Sequence, residues 1–151
     1  MPQSLAQLYV HVIFSTKNRE PFLSDLAVRE ELHRYMGGVQ KKLACVPVIN
    51  GGVEDHAHLL FGLARTLSAS DAVKELKRVS SIWLKEKGEA YRSFHWQDGY
   101  GVFSVSPSRL DAVAAYIRNQ VEHHRAETFQ EEYRTFLKKY GIAFDERYLW
   151  D

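Results

Sequence analysis

Two histidines separated by one residue, His56 and His58, stand inside the run Glu54-Asp55-His56-Ala57-His58-Leu59-Leu60-Phe61. The run reads as a β-strand. Alternate side chains of a strand project from one face, so both imidazoles point the same way. Two ring nitrogens aimed at one region of space make half of a site for a divalent metal ion. Ala57, Leu59, Phe61 and Leu63 form the other face, which is wholly apolar and belongs against the core. The histidine face then looks onto a helix, a cleft or solvent. The pattern is common, and a pair of hydrogen-bonded surface histidines satisfies it equally.

A second constellation lies on a helix that Pro107-Ser108 opens and that runs to about His124. At about 100° per residue, Tyr116, Gln120 and His123 share one side, with Arg109 slightly before them. Leu110, Ala114, Ile117 and Val121 form the adjacent apolar stripe that docks the helix. A phenol and an amide thus stand one turn apart beside a buried seam. Taken alone, a tyrosine at the edge of the core and a solvated glutamine account for that side. His123 and His124 read as solvated residues at the helix end.

The elements that must position these residues follow from periodicity and punctuation. Residues 8–15 are apolar and β-branched and predict a buried strand, followed by a polar loop over 16–21. Ser24 or Asp25 caps a helix to about Lys42, weakened near its end by Gly37-Gly38. Residues 46–53 predict a second strand, with Asn50-Gly51-Gly52 as a bulge or turn. Residues 57–63 predict a third, antiparallel to the second across Glu54-Asp55. A helix follows over 70–87, with Gly88 as its stop, then a strand over 94–106 interrupted near Gly99 and Gly101. Ser108 and Asp111 resemble a capping box. A last helix spans 128–140 and is closed by Gly141. The order β-α-β-β-α-β-α-α predicts an α+β fold. It is a ferredoxin-like antiparallel sheet with helices on one face plus C-terminal helices, in a single domain over 1–151.

Bulk properties narrow the class. The chain has 151 residues, 45% hydrophobic and 26% charged, which is ordinary globular composition. Its single cysteine, Cys45, excludes an internal disulfide and a cysteine-based metal cluster. Residues 1–4 lack the character of a signal peptide, and no apolar run approaches the ~18 residues of a membrane span. A soluble cytoplasmic protein, with no membrane partner, is expected. A net charge of +1 argues against non-specific coating of nucleic acid.

Local charge is another matter. Lys74, Lys77, Arg78, Ser81 and Lys85 cluster on one face of the second helix, opposite Ala72, Leu76, Val79 and Trp83. Asp71, Glu75, Glu86 and Glu89 lie towards its borders. Lys17 and Arg19 in the first loop and Arg118 on the third helix are further candidates for phosphate contact. Glu127, Glu131 and Glu132 make the C-terminal helix acidic and balance the total.

Together, His56-Ala57-His58 and Tyr116-Ile117-Arg118-Asn119-Gln120 resemble the single-tyrosine HUH transposases of the IS200/IS605 family, named for histidine, a hydrophobic residue and histidine. Phe14-Ser15-Thr16-Lys17-Asn18-Arg19 and Trp96-Gln97-Asp98-Gly99-Tyr100 are similar to that family too. The resemblance spans nearly all of residues 1–125. Ala57 is smaller than the aliphatic residue usual between the histidines. The resemblance implies that Tyr116 cuts one DNA strand, leaving a 5′-phosphotyrosine and a free 3′-hydroxyl. It implies a divalent cation, Mg²⁺ or Mn²⁺, held by His56, His58 and Gln120, with Asp55 hydrogen-bonded to a ligand ring. It implies single-stranded DNA hairpins at the ends of a mobile element as partners. It also implies a homodimer, in which the tyrosine helix of one subunit can complete the site of the other. On this basis Gln120 is expected to approach both imidazoles. Two other readings remain: a domesticated relative that binds hairpin nucleic acid without cutting it, and an unrelated small metal-dependent hydrolase that uses the histidine pair alone.

Overall fold

A four-stranded antiparallel sheet with helices on both faces organises the chain. The structure, a computed structural model, describes residues 2–151. The elements are β1 (Tyr9–Ser15), α1 (Leu26–Lys42), β2 (Val46–Gly52), β3 (His56–Gly62), α2 (Ala69–Lys85), β4 (Gly101–Val105), α3 (Leu110–Arg118), α4 (Gln120–His123) and α5 (Phe129–Lys139). The sheet order is β2-β3-β1-β4, the crossover order of a ferredoxin-like unit. The apolar β1 is central, pairing β3 on one side (Ser15 opposite His56, Ile13 opposite His58) and β4 on the other (His11 opposite Phe103). β2 pairs β3 with Gly51 opposite His58, and a bulge between Pro47 and Ile49 shifts its register.

Strand alternation divides the core. Val10, Val12, Phe14, Ala57, Leu59 and Phe61 face Leu32, Met36 and Val39 of α1 and Ala72, Val73, Leu76 and Leu84 of α2. On the other face, Ile13 and Phe103 meet Phe129, Tyr133 and Leu137 of α5, and Leu60 and Val105 meet Ala114 and Ile117 of α3. His11, His56 and His58 belong to this second face and are buried there. The C-terminal helices therefore form a third layer, laid over the histidines.

Several boundaries are as the sequence predicts. The Asp25 carboxylate accepts from the backbone N–H of Ala27 and Val28 at 2.9 and 3.2 Å, and α1 runs unbroken through Gly37-Gly38. Others differ. The helix expected over 107–124 is broken: Pro107–Arg109 is a 3-10 turn, α3 ends at Arg118, and α4 starts beyond Asn119. Ser108 lies inside the 3-10 turn, its hydroxyl 3.1 Å from that of Ser106, and it gives α3 no cap. The break rotates Val121 out of the docking stripe, leaving it 52% exposed. The strand expected over 94–106 shortens to Gly101–Val105. Before it, Trp96 bridges Thr16, and the Gln97 side-chain oxygen accepts from the Ser15 N–H at 2.7 Å. The Lys77 ammonium donates to the carbonyls of Gln97, Asp98 and Gly99 at 2.7, 3.1 and 2.8 Å, which fixes that loop without a ladder. Among the described residues, no helix is long and apolar enough to cross a membrane.

Candidate active site

The site begins at the turn before β3. Gly52 has φ +146°, a conformation that L side chains rarely adopt, and a Cβ there would stand 2.3 Å from the His56 carbonyl oxygen. The turn can therefore close only with glycine, and closing it starts β3 at His56. A Cβ on Gly51 would meet Ile117 Cγ2 at 2.8 Å and the Ile117 carbonyl oxygen at 3.1 Å. This bare backbone lets α3 lie close on β2, which places Tyr116 and Gln120 over the histidine face.

Three imidazoles point the same nitrogen inward. His56 Nδ1 is 2.7 Å from Asp55 Oδ1, His58 Nδ1 is 2.8 Å from His11 Nε2, and His124 Nδ1 donates to the Glu127 carbonyl at 2.6 Å. Each outer bond orients its ring and leaves Nε2 facing the centre. There the rings meet one carboxylate. Glu132 Oε1 lies 3.0 Å from His58 Nε2 and 3.4 Å from His56 Nε2, and Oε2 lies 3.2 Å from His124 Nε2. Gln120 joins from α4, with Oε1 3.3 Å from His56 Nε2 and Nε2 donating to Glu132 Oε2 at 3.3 Å. The Tyr116 hydroxyl donates to Glu132 Oε2 and lies 3.2 Å from His123 Nε2. His56, His58, Gln120 and Glu132 are all at most 1% exposed.

Electrostatics follow from this packing. Burial opposes a charge on His56, but hydrogen bonds to the Asp55 and Glu132 carboxylates outweigh it and push its pKa up to about 9. Burial alone would raise the Glu132 carboxyl, but the surrounding imidazoles hold it well below the usual carboxylate range. Burial, with the Glu132 charge adding to it, pushes the Tyr116 phenol well above its ordinary value. Burial also lowers His58 and His11.

One ligand atom from each of His56, His58, His124 and Glu132 lies within 4.8 Å of the others. Three nitrogens and a carboxylate, with the Gln120 carbonyl alongside, form a mixed N/O set that suits a divalent first-row cation or Mg²⁺. These residues fit a metal ion.

The candidates from sequence are placed as follows. His56, His58, Gln120, Tyr116 and Asp55 come together within one chain. Gln120 contacts His56 directly and is linked to His58 through Glu132. Lys74, Lys77 and Arg78 line a shallow groove with Trp96 and Tyr100, on the sheet face away from Tyr116. Lys77 is taken up by loop carbonyls, and Arg78 is held by Glu75 at 2.6 Å. Lys17 and Arg118 are exposed, and the Arg19 guanidinium lies 6.0 Å from the Trp150 ring centre.

Sequence reasoning missed His11, His124 and Glu132. Glu132, read from sequence only as one charge of an acidic C-terminal helix, is buried at the centre. A signal was present: Phe129, Glu132, Tyr133 and Leu137 have the spacing of one helical stripe. His124, expected in solvent, reaches His56 because the break at Asn119 turns α4 inward, leaving 3.1 Å between their Nε2 atoms.

A family model described as "Transposase IS200 like" matches residues 4–120. A search of curated proteins returns no match. Among solved structures, a candidate transposase from Deinococcus radiodurans R1 is 25% identical, with a TM-score of 0.61, over 80% of this chain and 95% of that one. A REP-associated tyrosine transposase bound to a REP hairpin is 14% identical, with a TM-score of 0.59, over 82% of this chain and 73% of that one. At that identity the second likeness shows the fold. With the family model matching most of its length, the chain belongs to the IS200-like transposase family.

Proposed function

We propose that the protein cuts and rejoins single-stranded DNA at hairpin-marked ends of a mobile element, with Tyr116 as nucleophile and a divalent cation at His56, His58, Gln120, His124 and Glu132. The observation that carries this reading is the hydrogen bond from Tyr116 to Glu132, the carboxylate shared by the inward-facing imidazoles. The nucleophile and the cation donors thus converge on one point.

A phenol with a pKa near 10 is a weak nucleophile at neutral pH, and here burial raises it further. His56, His58, His124, Glu132 and Gln120 would hold a divalent cation, Mg²⁺ or Mn²⁺, which would supply charge neutralisation at the scissile phosphate and favour the ionised phenol. Glu132 accepts the Tyr116 hydrogen bond and orients the phenol, which gives up its proton to solvent. The Oη–P bond forms as the P–O3′ bond breaks, and the departing 3′ oxygen takes a proton from solvent. The phosphotyrosine keeps the energy of the broken phosphodiester. A 3′-hydroxyl can attack it and release Tyr116 without ATP.

The hairpin bound to the REP-associated relative supports hairpin DNA as the substrate class. A homodimer acting in the cytoplasm remains part of the proposal. Within one chain, Tyr116 and His56 both reach Glu132. The complete donor set favours an active enzyme over a silent nucleic-acid binder.

The test is covalent trapping. Incubation with hairpin-bearing single-stranded DNA and Mn²⁺ should give a denaturant-resistant adduct, absent in Tyr116→Phe. An adduct that persists in Tyr116→Phe overturns the assignment of the nucleophile. Hairpin binding without any adduct supports the silent relative. Hydrolysis of small phosphoesters that is untouched by Tyr116→Phe supports the simple hydrolase.

A further inference from the structure

Beside Tyr116 a cavity of about 640 Å³ opens between β4, the start of α3 and α5. Its size is that of a small-ligand site. Tyr116, His123 and Glu132 form its inner wall, and Arg109, Lys139, Ser104 and Tyr140 lie further out. None of these outer residues takes part in the chemistry described above.

The outer part offers two kinds of contact. The first is aromatic. Tyr140 stacks on Phe103 at 4.7 Å between ring centres and lies nearly parallel to Phe136, at 12° and 6.4 Å, while remaining 40% exposed. An aromatic ring that is supported from below and partly open suits the face of a nucleobase. The second is cationic. Arg109 and Lys139 are exposed and form no ion pair among the described residues. The acidic groups of the cavity are hydrogen-bonded on its inner side: Glu132 to the imidazoles, and Glu127 to His123 at 2.5 Å. The outer wall therefore presents two cations, Arg109 and Lys139, beside a stacking surface.

We propose that this cavity seats a nucleotide of the cut strand, the one left attached to Tyr116, with its base on Tyr140 and a neighbouring phosphate between Arg109 and Lys139. The proposal rests on the tyrosine-nuclease reading above. In-line displacement puts Oη and the leaving 3′ oxygen at opposite apices, while the retained 5′ oxygen is equatorial. The retained nucleotide stays tethered to Tyr116 through the new phosphotyrosine bond, within reach of the cavity that Tyr116 lines.

The test has two arms. The first measures equilibrium binding of a fluorescein-labelled oligothymidylate of about 12 nucleotides, within the usual range of single-strand site sizes. Tyr140→Ala should weaken binding about tenfold, the loss of one stacked base, while Tyr140→Phe should bind as wild type. Arg109→Ala with Lys139→Ala should make the salt dependence shallower by about one to two phosphate contacts. Photocrosslinking of the same oligomer carrying 5-iodouracil should label the peptide that holds Tyr140. The second arm is the adduct assay with hairpin DNA. If adduct forms but oligothymidylate binding is unmoved by the Tyr140 and Arg109/Lys139 changes, the subsite is overturned and the nuclease reading stands. Crosslinks confined to α2 overturn it as well. If no adduct forms but Tyr140-dependent binding persists, the nuclease reading falls and a single-strand binding cavity remains.

Discussion

The Tyr116 hydroxyl donates its hydrogen bond to the carboxylate of Glu132, and the same carboxylate lies 3.0 Å from His58 Nε2. The proposed nucleophile and the histidine pair are therefore joined through a residue of the C-terminal helix, beyond the segment 4–120 that the family model matches. Glu132→Gln preserves the shape and removes the charge that holds the imidazoles. In the metal-free protein at neutral pH this should lower stability by roughly 2–3 kcal/mol, the cost of breaking a buried charge-assisted network. Urea unfolding in the presence of EDTA measures it. A change below about 0.5 kcal/mol, as for an ordinary surface site, would show that the network is not formed in solution.

Cation binding should depend on pH through His56. Its pKa is raised from 6.5 to about 9 by the Asp55 and Glu132 carboxylates against the opposing effect of burial. A ligand ring must give up its inward proton, so affinity should rise with pH, about tenfold per unit for one proton, and level off near 9. The metal-free protein should show the opposite trend. A histidine whose folded pKa is raised stabilises fully below 6.5, and that contribution is lost as pH rises through about 9. Melting temperatures with and without Mn²⁺ should therefore diverge between these limits. Calorimetry in buffers of different ionisation enthalpy should count the released proton.

The glycines of β2 should prove as sensitive as the histidines. Gly51→Ala puts a methyl group 2.8 Å from Ile117 Cγ2 and forces α3 off the sheet. A cost of about 1–3 kcal/mol is expected for overpacking. Because Tyr116 precedes Ile117, adduct formation should fall by more than stability alone explains. Gly52→Ala combines a disfavoured φ of +146° with a 2.3 Å approach to the His56 carbonyl. It should cost at least as much and weaken metal binding. Chemical denaturation and Mn²⁺ titration of the two variants separate the effects. Intact metal affinity in Gly52→Ala would show that the turn does not position His56.

What the sequence made legible was whatever a single element encodes. His56 and His58 share a face because a strand repeats every two residues, and Tyr116 and Gln120 are neighbours because a helix nearly repeats every four. Asp25 announced the start of α1. The central carboxylate stayed hidden because its meaning depends on how α5 docks across the sheet, which no local period records. Glu132 also shares a run with Glu131, which is exposed. His11 was masked by its apolar strand, and His124 by a helix that reads as continuous through Asn119. Lys77 belonged to a basic face by spacing, and only the fold of the 97–99 loop shows what its ammonium holds.

Lys74, Lys77 and Arg78 share a helix face, yet their surroundings differ. Lys74 is exposed, and Arg78 is exposed beside Glu75 in an ion pair of the kind that adds little stability. Lys77 is half-buried against Phe14 and Tyr100, and its burial lowers its pKa to about 8. If phosphate runs along α2, Lys74→Ala and Arg78→Ala should each make the salt dependence of oligothymidylate binding shallower by about one counterion and leave stability nearly unchanged. Lys77→Met should instead release the carbonyls of Gln97, Asp98 and Gly99. It should lower the unfolding midpoint without the same change of slope. Salt titration and urea unfolding of the three variants check this together. A Lys77→Met variant that is fully stable but loses a full counterion would place its ammonium on DNA, with the loop holding its shape unaided.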